Sequence, residues 1–172
     1  MKKTNVILLI LAVLVWGLFF SVTARAQLHV NVGVVDVSGR LDGTNLAWDT
    51  GYTHFMGRTG AGANLRYTST LSGNYYTAEA LVKHRVSDGG YRLDAGAGTG
   101  YNFDNGDIHP LVVVRSSFRL EEGTWLNLDF DNSFRKVAGQ GKWRTETYLM
   151  VGLSVDIFGH GRRNLKKMKR FR

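Results

Sequence analysis

From Tyr91 to Phe103 the chain reads YRLDAGAGTGYNF, and its side chains alternate strictly. Tyr91, Leu93, Ala95, Ala97, Thr99, Tyr101 and Phe103 fall on one face; Arg92, Asp94, Gly96, Gly98, Gly100 and Asn102 fall on the other. A period of two is the side-chain period of a β-strand. It excludes a dinucleotide loop: the glycines are spaced G-x-G-x-G, Tyr101 stands where the third fingerprint glycine belongs, and no helical pattern follows.

The same alternation recurs. In 142–158 the apolar face is Trp143, Thr145, Thr147, Leu149, Val151, Leu153, Val155 and Ile157. In 124–135 Leu126, Leu128, Phe130 and Phe134 oppose Asn127, Asp129, Asp131 and Arg135. In 75–86 Tyr76, Ala78, Ala80 and Val82 oppose Tyr75, Thr77, Glu79, Lys83 and Arg85. Between such segments lie turn-type clusters: SGRLDG (38–43), GRTGAG (58–63), LSGN (71–74), SDGG (87–90), DNGD (104–107), EEG (121–123) and AGQGK (138–142). Seven turns divide the chain into eight short strands, the pattern of an all-β sandwich or barrel. The first two strands are less regular. His54 and Asp36 fall in or near the apolar register, which predicts a bulge or a strand end there.

The ends differ from the middle. Lys2 and Lys3, an apolar run over 6–22, and Ala24-Arg25-Ala26 before Gln27 have the layout of a secretory signal peptide cleaved between Ala26 and Gln27; an uncleaved anchor is the alternative. The chain has no cysteine, so no disulfide or thiolate–metal framework is expected. The net charge of +8 is concentrated at the ends. Setting aside Lys2, Lys3, Arg25 and the seven basic residues of the last 14 leaves 12 basic against 14 acidic residues in 27–158. A near-neutral middle carries no basic face for nucleic acid. The domains expected are a signal peptide (1–26), a barrel (27–158) and a basic tail (159–172).

Alternating strands admit two barrels. A soluble, lipocalin-like barrel turns its apolar face inward and would line an apolar ligand pocket with Leu93, Val112, Leu128 and Val151. A transmembrane barrel turns that face to lipid. Three features favour the second. The polar face is rich in Gly, Asn, Ser, Arg and Asp, whereas lysine appears in the middle only at 83, 136 and 142; a soluble surface is usually a Lys/Glu mixture. Its charges are of both signs on neighbouring strands: Glu79, Lys83, Arg85, Arg92, Asp94, Arg115, Arg119, Asp129, Asp131, Arg135, Arg144 and Glu146 form an expected interior network. Buried charge is tolerated when paired. Finally, Tyr91, Tyr101, Phe103, Trp143, Phe134, Phe118, Tyr76 and Trp48 lie toward strand ends, as interfacial girdles do. Gly96, Gly98 and Gly100 then make room inside a narrow barrel, for Arg115 or another long side chain of the next strand.

Eight strands behind a signal peptide, with an apolar outer stripe, resemble the small eight-stranded outer-membrane barrels of Gram-negative bacteria, of the OmpA membrane-domain and OmpX/Ail type. The resemblance covers 27–158 and implies an antiparallel up-and-down transmembrane β-barrel. Its last strand, Tyr148–Phe158, looks like the signal read by the outer-membrane assembly machinery. Here Ile157, not Phe158, shares the lipid-facing phase, and a basic tail follows.

Barrels of this kind can be enzymes. The His-x-Ser pair of the lipid A deacylase barrels is missing at all five histidines, and the chain is two strands shorter than the omptin proteases. Asp129 and Asp131 place two carboxylates on one strand face, as a general-base pair needs, but structural salt bridges to Arg115, Arg119 and Arg135 are the expected role. No catalytic, cofactor or metal site is expected; a lipid-modifying enzyme is the remaining alternative. Eight strands enclose an interior that side chains fill, which disfavours a wide pore. The expected partners are outer-membrane lipid, the assembly machinery through the last strand and, for the tail, anionic lipid or a periplasmic component. The outward connections are short, which disfavours an adhesin role.

Overall fold

The computed structural model describes residues 25–37, 45–70, 73–136 and 143–157. They form eight strands: β1 (Arg25–Val37), β2 (Leu46–Met56), β3 (Thr59–Thr70), β4 (Gly73–Ser87), β5 (Tyr91–Asn102), β6 (Ile108–Glu121), β7 (Thr124–Lys136) and β8 (Trp143–Asp156). Each strand pairs with its sequence neighbour, and β1 closes on β8, giving an antiparallel up-and-down barrel. Closure removes both sheet edges, so the backbone groups of every strand have a ladder on each side.

Strand alternation decides what each face holds. At the β1–β8 seam, Leu28 pairs with Val155, Val30 with Leu153 and Val32 with Val151. These six side chains are all exposed, Val30 at 60%. The residues between them point inward: His29 beside Ser154 and Asn31 beside Gly152. The pattern holds around the barrel, with Val112, Leu128, Phe130 and Val151 outside and Asp49, Glu79, Asp129 and Glu146 buried. Val112, Leu128 and Val151 therefore line no internal pocket; the lipocalin-like arrangement is inverted.

Three connections on the rim that carries both strand termini are tight: Gly57–Arg58, Asp88–Gly90 and Glu122–Gly123. Gly57 (φ 67°) and Gly123 (φ 84°) take left-handed conformations that favour glycine. The GRTGAG cluster is only marginally a turn. The chain reverses at 57–58, and Thr59–Gly62 already belong to β3. Gly60 and Gly62 face inward, where a Cβ would meet the Phe55 ring at 2.8 Å and the Thr53 hydroxyl at 2.7 Å. They answer crowding inside the barrel, not chain reversal.

No register shift occurs at Asp36 or His54; the shifts fall at Arg85/Ser87 and Arg119/Glu121. Asp36 is the next-to-last residue of β1, where the apolar register ends. His54 keeps its outward phase near the end of β2, stacks on Tyr52 and shares a 3.2 Å hydrogen bond with its hydroxyl.

Candidate functional site

The chemistry of this chain lies inside the barrel, and it is arranged in tiers. Near the rim that carries the termini, Arg85 of β4 forms a two-point contact with Asp94 of β5, at 2.8 and 3.1 Å. Its guanidinium lies 4.1 Å from the ring centroid of Phe55. Next to it, Arg92 grips Asp156 through two hydrogen bonds of 3.0 Å and also donates to Asp88. Trp125 stacks under Arg92 and donates its indole N–H to the same Asp156 carboxylate. Arg119, placed by sequence in the interior network, is exposed at this rim, with its guanidinium 5.1 Å from the Trp125 centroid.

The central tier turns on Arg66 of β3. It contacts Asp131, reaches Glu79 at 3.1 Å and Asp49 at 3.3 Å, and lies 4.2 Å over the Tyr148 ring. Arg115 donates to both oxygens of Asp129. Asn31 ties the two groups together, donating to Asp49 at 2.7 Å and to Asp129 at 3.0 Å. Lys83 is buried beside them, and the space between Asn64, Lys83, Val113, Arg115, Asp129 and Asp131 leaves no room for a water molecule.

Toward the far rim, Glu146 is the acceptor. Arg144 donates to it at 2.6 Å, and the hydroxyls of Tyr75 and Tyr148 each at 2.8 Å. The Nε of Arg135 lies 2.9 Å from it. Arg135 also donates to Thr77 and lies over the Tyr75 ring. Among the described residues, seven inward carboxylates (Asp49, Glu79, Asp94, Asp129, Asp131, Glu146, Asp156) meet six inward guanidiniums (Arg66, Arg85, Arg92, Arg115, Arg135, Arg144), with Lys83 buried among them. Desolvating so many charges costs more than isolated pairs return, and only near-complete mutual pairing makes such an interior tenable.

The partners differ in detail from those the sequence offered. Asp129 takes Arg115, but Asp131 takes Arg66; Arg135 goes to Glu146 and Arg119 to the rim. Asp49 and Arg66 were the residues missed. They sit on β2 and β3, where the glycine cluster hid the strand. Alternation of Asn64, Arg66 and Thr68 with Leu65 and Tyr67 was the available signal. The glycines of β5 face inward, and the nearest long side chains they make room for are Lys83 of β4 and His109 of β6. A Cβ on Gly96 would meet Lys83 at 2.9 Å and Val113 at 3.1 Å, and one on Gly100 would meet His109 at 2.7 Å. Ala26 is buried, and its carbonyl accepts from the Ile157 N–H at 2.8 Å. Gln27 donates to Ser154 at 3.0 Å. Phe158 lies outside the described residues.

Asp129 and Asp131, the candidate base pair, are each clamped by a guanidinium. No group of three or more His, Asp or Glu side chains among the described residues is placed to hold a metal ion.

No family model and no curated protein matches the sequence. Solved structures match in fold. Neisserial surface protein A superposes with a TM-score of 0.62 at 10% identity, over 78% of this chain and 97% of that one. Ail, the attachment invasion locus protein of Yersinia pestis, gives 0.52 at 13% identity, over 78% and 97%. A designed transmembrane β-barrel gives 0.54 at 15% identity, over 77% and 95%. At these identities the likeness is one of architecture: the chain has the fold of the small eight-stranded outer-membrane β-barrels, an antiparallel up-and-down barrel of the transmembrane kind.

Proposed function

We propose that this chain is a small, non-enzymatic barrel of the outer membrane of a Gram-negative bacterium, serving the integrity or assembly of the envelope. The observation that carries this reading is the polarity of the wall: Val30, Leu128 and Leu153 are about half exposed outside while Asp49 and Glu146 are fully buried inside. In water that arrangement would be inverted; in lipid it is the stable one. What supports a non-catalytic role is engagement: every inward carboxylate named above already meets a guanidinium.

The remaining assignments are part of the same proposal. Residues 1–26 act as the export signal; cleavage removes Arg25 and Ala26 from β1 and leaves Gln27, bonded to Ser154, as its first residue. The last strand engages the assembly machinery, and the outer wall contacts lipid. The strand ends leave only residues 38–45, 71–72, 103–107 and 137–142 to connect strands on the far rim. Connections of that length favour a wall or rim function over an adhesin.

Membrane fractionation combined with an unboiled and a boiled gel lane tests the reading. The expected result is recovery in the outer-membrane fraction only with detergent, with a folded band that shifts on boiling. Recovery as a soluble protein without detergent would sink it.

A further inference from the structure

Asp36, the charge that falls in the apolar register of β1, does not stand alone on the wall. It pairs with Thr147 of β8, which pairs in turn with Asn132 of β7. All three keep the outward phase of their strands and are half-buried. Three apolar stripes are thus interrupted at one row. The row beneath is apolar throughout: Val34 pairs with Leu149, and Leu149 with Phe130. Leu149 and Phe130 are each about half exposed. Nearer the far rim, Phe134 and Trp143 stand on the same outer face, Trp143 at 63% exposure. That rim, opposite the termini, is the outward one in such barrels.

The row is not satisfied from within. Thr147 donates to the side-chain oxygen of Asn132 at 2.8 Å. That bond uses the amide's acceptor and leaves its N–H groups without an acceptor among the described residues. Asp36 Oδ1 is buried and accepts no hydrogen bond. A polar atom shielded from water without a partner is costly. The row therefore presents a carboxylate, a hydroxyl and an amide to whatever lies against it. Neighbouring strands are about 4.8 Å apart, which puts Asp36 and Asn132 about 10 Å from each other. A lone phosphate or ammonium group meets one of the three. Hydroxyls spread around sugar rings both donate and accept, and they reach all three. The electron-rich faces of Trp143 and Phe134 suit the C–H side of such a ring. The apolar row beneath suits acyl chains.

We propose that Asp36, Thr147 and Asn132 hold the saccharide head group of a glycolipid in the leaflet at the far rim, with its acyl chains along Leu149 and Phe130. The proposal rests on the outer-membrane reading above. The full chain, labelled with nitrogen-15, is placed in phosphatidylcholine nanodiscs. Diglucosyl diacylglycerol, phosphatidylethanolamine or phosphatidylglycerol, all with the same acyl chains, is then added in turn. The side-chain amide of Asn132 and the backbone amides of Asp36 and Thr147 should shift saturably with the glycolipid, while those of Val30 and Leu153 stay in place. The half-saturating fraction of glycolipid should rise several-fold in Asp36→Ala and Asn132→Ala, and in Trp143→Ala, which removes only an exposed ring. Equal shifts with either phospholipid overturn the inference, as does a row that answers to none of the three. The chain has no cysteine, so Asp36→Cys reports on a second copy. Disulfide-linked pairs of that variant in sugar-free vesicles would put another barrel on the row and overturn the inference too. A chain that stays soluble without detergent and shows no heat-dependent gel shift overturns the membrane reading itself, and this site with it.

Discussion

The guanidinium of Arg92 lies 3.5 Å from the ring centroid of Trp125, and both residues donate to the carboxylate of Asp156. Three strands, β5, β7 and β8, are thereby joined across the terminal end of the barrel. The arginine contributes charge to Asp156 and its flat face to the indole, which lysine could not do equally well. This end is closed by side chains, with Phe55 and Arg85 forming the second stack.

Replacing Arg92 with alanine should destabilise the barrel by about 1–3 kcal/mol, since Asp156 keeps only the indole N–H as a neutral donor. Asp156 is 16% exposed, so water offsets part of the loss. The midpoint of urea unfolding in lipid vesicles reads the effect. Lysine at the same position should recover part of the ion pair but not the stack. An unchanged midpoint for the alanine variant would mean that the stack and the pair do not hold this end.

Arg66 is the more consequential cation. It faces Asp49, Glu79 and Asp131 together, and each of the four side chains is almost fully buried. Arg66→Met should cost on the order of 3–5 kcal/mol, the loss associated with breaking a buried pair, and should slow or prevent refolding. Asp131→Asn should cost less, because Arg66 keeps two carboxylates. Combining the two should recover stability relative to Arg66→Met alone, since one of the stranded charges is then gone. If the double variant is no better than the arginine variant, the three carboxylates are not sharing this cation.

Alternation made the architecture legible in the sequence, because a period of two assigns every residue of a strand to one of two environments once a few are assigned. Leu126, Leu128 and Phe130 against Asn127, Asp129 and Asp131 were enough to place β7. Partner choice was not legible. Which arginine meets Asp131 depends on the tilt and stagger of strands across the lumen, and Arg66 is far from it in sequence. Turns were half legible. Gly57 and Gly123 mark true reversals, but Gly60, Gly62, Gly96 and Gly98 are glycines for want of space. Composition alone does not separate those two reasons; the phase of the neighbouring residues does.

The crowding argument has its own test. On Gly98 a Cβ would run into the Ala80 carbonyl and lie 3.0 Å from the Leu81 Cα, which are backbone atoms that cannot swing away. Gly98→Ala should therefore cost about 1–3 kcal/mol by overpacking. Gly89, in the β4–β5 turn, has nothing within 4 Å of the same position. Gly89→Ala should leave stability within about 0.5 kcal/mol of the parent. Equal effects in thermal or urea unfolding would refute the assignment of the β5 glycines to interior space.

The wall can be tested by depth. Leu128 of β7 pairs with Ser116 and Val151 on the neighbouring strands, and its side chain is 49% exposed among apolar neighbours. Tyr76 of β4 is also exposed, at 45%, but it packs against the Tyr67 ring at a tilt near the end of its strand. An arginine in the middle of a lipid-facing wall must sit in hydrocarbon or drag water to itself, whereas one at the interface reaches the head groups. Leu128→Arg should then cost about 2–4 kcal/mol and Tyr76→Arg no more than about 1 kcal/mol from the charge itself, measured as folding into vesicles. To separate the lost ring from the gained charge, Tyr76→Ala and Leu128→Ala serve as references. In a barrel whose outer face met water, both arginines would be tolerated and Leu128→Arg would improve solubility. A depth-dependent cost across the two positions is the result that only a lipid-facing wall produces.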